Sequence, residues 1–237
     1  MARLPRVEAL ETPHHVTQRG NARRQIFDSD ADRLVYLAIL GQHARLRGLG
    51  IIGYCLMPNH VHLIVVPRFP GAMATALRDA HSRYAAYLNA RKASNGHLWQ
   101  GRYFSCPMDS NHLWTALRYV ELNPVRAGLA GRAEDYLWSS ARAHLLGERG
   151  TVALFGEWSQ RWTPSEWRDF VEARDLEASD TTIRLHTHTG RPLGTLDFVR
   201  HLEDKLRRRL APRRVGRPRR KALAVAGEAS GVSEAED

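Results

Sequence analysis

The first half of the chain switches repeatedly between a two-residue and a helical hydrophobic period. His14-His15-Val16-Thr17-Gln18-Arg19-Gly20-Asn21 alternates and ends in a Gly-Asn turn, which predicts a first strand. The Asp28-Ser29-Asp30 cluster then offers N-caps for a helix reaching Arg47. Its apolar positions Leu34, Val35, Leu37, Ala38, Leu40 and Ala44 recur at helical spacing, and Gly48 and Gly50 stop it. A strand over 51–56, a Met57-Pro58-Asn59 turn and a returning strand from His60 follow. Beyond Pro70-Gly71, a second helix over 72–91 sets Leu77, Ala80, Tyr84, Tyr87 and Leu88 on one side. After Ser94-Asn95-Gly96 the pattern predicts a fourth strand over 98–106 and a third helix over 111–122.

This order, β-α-β-β-α-β followed by more helix, is the ferredoxin-like split pattern of an α+β fold. It sets the helices on one face of an antiparallel sheet and leaves the other face open for a partner. Beyond Trp138 the signals weaken. Thr163-Pro164-Ser165-Glu166 reads as a helix start beside Trp158, Trp162 and Trp167. From 201 to 221 ten arginines or lysines stand against Glu203 and Asp204, and Pro212 and Pro218 stop any helix, so this stretch is expected to be extended or disordered when free.

Charge narrows the class of partner. The 237 residues carry a net charge of +10 with a pI near 10.3, and the basic side chains are overwhelmingly arginine. Such a balance favours a polyanion, nucleic acid before an anionic membrane surface. Arginine's planar fork suits phosphates and guanine edges. No apolar run approaches the roughly 20 residues that span a bilayer. The N-terminal residues show no apolar core of a secretory signal. Cys55 and Cys106, without metal-ligand spacing, fit a reducing compartment. A cytoplasmic, nucleoid-associated protein is expected.

Two local patterns carry chemistry. In Asn59-His60-Val61-His62-Leu63-Ile64-Val65-Val66 the histidines lie two apart on a strand, so both imidazoles leave the same face while Val61 enters the core. That pair suits a divalent metal needing a third protein ligand, or it is simply the polar face of a half-exposed sheet. Tyr119 and Asn123 lie four apart, on one face of a helix. A tyrosine hydroxyl can form a phosphate ester once a metal or base helps deprotonate it, since its ordinary pKa is about 10. Asn123 offers a carbonyl oxygen as a third ligand; standing before Pro124, it equally reads as an N-cap.

Four ordered segments together resemble a known family: His14-His15-Val16-Thr17-Gln18-Arg19-Gly20-Asn21, Met57-Pro58-Asn59-His60-Val61-His62, Trp99-Gln100-Gly101-Arg102-Tyr103 and the stretch 119–129 that begins Tyr119-Val120-Glu121-Leu122-Asn123-Pro124. They look like the REP-associated tyrosine transposases of the single-tyrosine HUH, or IS200-like, superfamily, over residues 10–146. The resemblance implies His60, His62 and Asn123 as ligands of Mg²⁺ or Mn²⁺. It implies Tyr119 as the nucleophile that cleaves and rejoins hairpin-associated single-stranded DNA through a 5′-phosphotyrosine. It further implies DNA contacts from Thr17, Arg19, Asn21, Arg23, Arg24, Gln100, Arg102 and Arg126, with Trp99 and Tyr103 as candidates for base stacking or for the core. The chain is expected to divide into a transposase domain over 10–146, a small helical extension over 147–204 and a basic then acidic tail over 205–237; relatives of this type include dimers and monomers, and the long C-terminal extension favours a monomer over a dimer.

Gly190-Arg191-Pro192 and Gly216-Arg217-Pro218-Arg219 each resemble a minor-groove hook, and Arg217 and Arg219 equally suit a nonspecific phosphate-binding arm. Two other functions compete with the transposase. One is a noncatalytic DNA-hairpin-binding protein. The other is a metal-dependent hydrolase, which needs an acidic base; Glu121 is the sole nearby candidate by sequence and is expected to face away from Tyr119.

Overall fold

The computed structural model describes residues 6–173 and 177–211. Strand β1 (His14–Arg19) leads through a 3₁₀ turn to helix α1 (Asp30–Arg47), then β2 (Leu49–Met57), β3 (His60–Pro67), α2 (Ala72–Arg91), β4 (Phe104–Pro107) and α3 (Ser110–Glu121). A short α4 (Asn123–Arg126) follows directly. The extension adds α5 (Ala141–Leu146), α6 (Glu157–Arg161), α7 (Pro164–Glu172), α8 (Glu177–Thr189) and α9 (Leu196–Leu206). The strands form one sheet in the order β2-β3-β1-β4, every neighbour antiparallel, as the split pattern requires.

Local chemistry sets most boundaries. Ser29 and Asp32 form a reciprocal capping box at the start of α1, and Gly48, at φ 67°, closes it in the left-handed region that glycine enters freely. Thr163 and Glu166 repeat the box at α7, with Pro164 in the first turn. The fourth strand is shorter than its sequence predicts. Residues 98–103 form a loop held to β1 by the Gly20–Trp99 bridge, by the Gln100 N–H donating to the Arg19 carbonyl at 2.9 Å and by Gln18 Nε2 donating to the Gly101 carbonyl at 2.8 Å, and Leu98 and Tyr103 are buried around an exposed 100–102. The Trp99 indole donates to the His81 carbonyl at 2.9 Å, so this segment is held between β1 and α2 without a continuous ladder.

Alternation along β3 divides the core. Val61, Leu63 and Val65 pack with α1 and α2 around Tyr36, Leu40, Leu77 and Tyr84. Ile64 and Val66, on the face of the two histidines, join Ile52, Cys55 and Cys106 beneath α3, α7 and α8 through Leu117, Trp167 and Ile183. The opposite sheet face is therefore covered, where the sequence implied an open one. Helix α3 comes so close to β2 that a Cβ on Gly53 would lie 2.3 Å from Leu117 Cδ1. Both cysteines are buried, free thiols.

The C-terminal expectations change in part. Helix α9 continues through Leu206, and Leu202 and Leu210 are buried with Val7 and Ala9, so the chain stays folded beyond 204. The first Gly-Arg-Pro is also built into the fold: Arg191 Nη1 donates to the Leu210 carbonyl at 2.6 Å and Leu193 pairs with Met108. Arg217 and Arg219 lie outside the described residues. Among those described, no helix is long and apolar enough to cross a membrane.

Candidate functional site

Register brings the first pattern together. Across β1 and β3, Arg19 pairs with His60, Thr17 with His62 and His15 with Ile64, so His15, Thr17 and Arg19 share the histidine face. At this end of the sheet, α3, α4 and α8 wall a cleft. Thr17, Arg19, Arg23, His60, His62, Gln100, Tyr119, Asn123 and Arg126 all line it. Asn21, Arg24 and Arg102 stand outside its lining; Arg24 donates to the His97 carbonyl at 2.8 Å. Of the two aromatics, Tyr103 is buried under Arg6 and Trp99 is half-buried against Tyr36 and Tyr84.

The two imidazoles are oriented from behind. His60 Nδ1 meets Asn59 Oδ1 at 2.6 Å, and the same Asn59 side chain donates to the Arg23 carbonyl at 3.1 Å. His62 Nδ1 meets His15 Nε2 at 2.9 Å. Neither Nε2 has a hydrogen-bond partner among the described residues. Burial lowers all three histidines. It brings His60 to about 4, with Arg19 adding to it, and His15 to about 3. His62 falls well below the ordinary value, first through burial and then through the cationic forms of its neighbours. Neutral imidazoles are the metal-binding form.

Asn123 is the first residue of α4, after Leu122 as cap, and does not continue α3. Its amide nitrogen donates to the carbonyls of Tyr119 at 3.1 Å and Val120 at 3.4 Å, which leaves Oδ1 for the cleft. The unspent donors are thus two imidazole nitrogens and one neutral oxygen, a set that fits a divalent cation with open positions. Among the described residues no three His, Cys, Asp or Glu side chains group to hold a metal, and the Asn123 side chain lines the cleft beside the histidine pair.

Tyr119 is 3% exposed, its ring edge-on to His15 and His62 with centroids 5.7 Å from each. Arginines flank it. Arg126 lies 4.4 Å over the ring, donates to the Tyr119 carbonyl and pairs with Asp180 at 3.2 Å. Arg184 Nε donates to the Tyr119 hydroxyl at 3.2 Å. Sequence reasoning missed His15, Asp180, Arg184 and Thr187. His15 had a usable signal, since alternation from Thr17 and Arg19 puts it on their face; the α8 residues had none.

Glu121 points the other way. Fully buried, its carboxylate accepts from Ser140 Oγ at 2.6 Å and Trp167 Nε1 at 2.9 Å and meets His144 Nδ1 at 2.6 Å. It lines no part of the cleft, and among the described residues no Asp or Glu does, which leaves the hydrolase reading without its acidic base there.

Residues 10–123 match the family described as Transposase IS200 like. A solved REP-associated tyrosine transposase bound to a REP hairpin is similar at TM-score 0.53 and 18% identity, over 65% of this chain and 92% of its own. A putative transposase from Deinococcus radiodurans R1 is 22% identical over 51% of this chain and 96% of its own, at TM-score 0.35, and adds nothing to the fold assignment. No curated protein matches the chain. The match runs from residue 10 to residue 123, so the part of the chain that holds the histidine pair, Tyr119 and Asn123 is similar to the IS200-like transposase family.

Proposed function

We propose that this chain cleaves and rejoins hairpin-associated single-stranded DNA, with Tyr119 as nucleophile and a 5′-phosphotyrosine as intermediate. The observation that carries the reading is the convergence of Tyr119, two neutral imidazoles with unspent Nε2 atoms, and the Asn123 carbonyl oxygen in one arginine-rimmed cleft. His60, His62 and Asn123 would hold Mg²⁺ or Mn²⁺. When bound, the cation supplies Lewis-acid polarisation of the scissile phosphate.

The chain's own residues do the rest. Arg126 and Arg184 fix the Tyr119 ring and hydroxyl and offset negative charge arriving with the phosphate. Tyr119 loses its proton to solvent and its oxygen bonds phosphorus as the P–O3′ bond breaks. The departing 3′ oxygen takes up a proton, leaving a free 3′-hydroxyl; reversal with another 3′-hydroxyl joins strands. Thr17, Arg19, Arg23 and Gln100, on the cleft, hold the single strand next to the reacting phosphate, while Asn21, Arg24 and Arg102 extend the polar surface outside it. Arg217 and Arg219 add phosphate contacts from the tail. The substrate class is a REP-type hairpin with adjoining single strand, the chain acting as a monomer in the cytoplasm, at the nucleoid.

The test is a denaturing gel of labelled hairpin DNA from the gene's own flanks, incubated with Mg²⁺ or Mn²⁺. A protein-linked band is expected, lost with EDTA and with Tyr119→Phe, while the variant still shifts the hairpin on a native gel. A native shift without any covalent band, in both metals and across several hairpins, refutes cleavage and leaves a hairpin-binding protein.

A further inference from the structure

The hydrogen bond behind His62 does not end at His15. On the far side of that ring, His15 Nδ1 meets Thr187 Oγ1 at 2.7 Å, and Thr187 Oγ1 donates to the Ile183 carbonyl one helical turn back at 2.8 Å. The two imidazole planes are parallel within 3° and their centroids are 5.1 Å apart. That spacing, with nitrogens at 2.9 Å, is what rings meeting nitrogen to nitrogen in a shared plane give, not face-to-face stacking. His15, His62 and Thr187 are all buried where they line the floor of the cleft.

A row of this kind has only two consistent proton arrangements, because each neutral imidazole carries one N–H. In the first, the Thr187 hydroxyl hydrogen goes to Ile183, so its oxygen accepts from His15 Nδ1–H. His15 Nε2 then accepts from His62 Nδ1–H, and the lone pair of His62 Nε2 faces the cleft. In the second, Thr187 donates to His15, both rings switch tautomer, and His62 presents an N–H to the cleft. An N–H cannot ligate a cation. The Thr187–Ile183 bond selects the first arrangement. Cys106 Sγ, 3.3 Å from Thr187 Oγ1, adds a thiol that can donate to the same oxygen without disturbing that choice.

We infer that Thr187 and His15 are positioning residues that set the tautomer of His62, holding its Nε2 lone pair toward the cleft for the metal. The inference rests on the metal reading above and deepens it. Thr187 lies on α8, beyond the 10–123 span that matches the family, so the extension completes a site whose proposed ligands all lie within that span. His60 receives the equivalent service from Asn59 at its own Nδ1, from within the β2–β3 turn. The two ligands are therefore oriented by unrelated parts of the chain.

Two measurements on the full chain test this. With ¹⁵N-histidine labelling, long-range ¹H–¹⁵N spectra of the metal-free protein report which nitrogen of each ring is protonated. Wild type is expected to show His62 and His15 as Nδ1–H. Thr187→Val, nearly isosteric, removes the acceptor and is expected to move His15, and with it His62, to Nε2–H. Thr187→Ser restores the acceptor and the wild-type pattern. Mn²⁺ affinity, followed by the loss of its free-ion paramagnetic resonance signal, is expected to fall about 10- to 100-fold in Thr187→Val and to recover in Thr187→Ser. Wild-type His62 found as Nε2–H overturns the inference. So does Thr187→Val with unchanged tautomers, or with unchanged Mn²⁺ affinity beside a His62→Ala control that loses it. A His62→Ala variant that binds Mn²⁺ as wild type does refutes the metal reading itself, an outcome separable from failure of the relay.

Discussion

Replacing Glu121 by leucine would cut the buried network that anchors the back of the tyrosine helix. The carboxylate gathers Ser140 from the start of α5, His144 from within it and Trp167 from α7. Ser140 Oγ can fall back on the Tyr54 carbonyl, 3.4 Å away. Among the described residues the Trp167 indole N–H and the His144 ring have no such recourse, and His144 Nε2 is already buried without a partner. Each orphaned buried group costs about 1–3 kcal/mol, and the Trp167 and His144 nitrogens are both orphaned by this change. Glu121→Leu is therefore expected to lose about 3–5 kcal/mol, or roughly 6–20 °C in Tm for a chain of this length. Glu121→Gln keeps an acceptor oxygen and is expected to lose about 1–2 kcal/mol. Urea unfolding followed by tryptophan fluorescence reads the change directly, because Trp158 and Trp162 pack edge-on against Trp167 at centroid distances of 6.4 and 5.2 Å. A leucine variant within about 1 kcal/mol of wild type at unchanged m would refute the account of this network. The glutamine variant also decides chemistry: it is expected to cleave at near wild-type rate, and a folded variant without activity would return Glu121 to the role of general base.

Further tests address other parts of the molecule. Arg184→Met is expected to slow covalent-adduct formation about 10- to 100-fold with hairpin affinity nearly intact, and equal rates would remove Arg184 from the reaction. His14 and His81 are held by burial at about 4 and about 3, below the ordinary histidine value, so the folded state binds fewer protons than the unfolded one. Their stabilisation is complete above about pH 6.5 and drains away as pH falls toward those values, at about 1.4 kcal/mol per pH unit for each group, which urea midpoints at a series of pH values will show. Gly53→Val drives a side chain into Leu117 and Ser140 and is expected to cost about 1–3 kcal/mol; a neutral effect by thermal unfolding would mean that α3 can retreat from the sheet. Removing residues 212–237 is expected to lower the slope of log affinity against log salt by nearly one for each phosphate that the tail neutralises, and an unchanged slope would show that the tail does not touch DNA.

The sequence by itself determined what depends on neighbours along the chain. A two-residue period turns His60 and His62 to one side, capping boxes start α1 and α7, and Gly48 ends α1, because these effects act within a few residues. The βαββαβ order followed from those elements, and the position of Tyr119 and Asn123 was readable as motif. Residues 98–103 misled because apolar side chains at both ends suggested a strand, whereas the indole bond of Trp99 to α2 and scattered hydrogen bonds to β1 hold the segment as a loop. Only the tertiary structure decided that the second sheet face is covered and that Glu121 belongs to the core. It alone decided that helix α8, with no readable link to the histidine strand, delivers Arg184 to Tyr119 and Thr187 to His15. Hydrogen bonds between such distant residues leave no period in the sequence, since they depend on where whole helices dock and not on the spacing of the side chains they join.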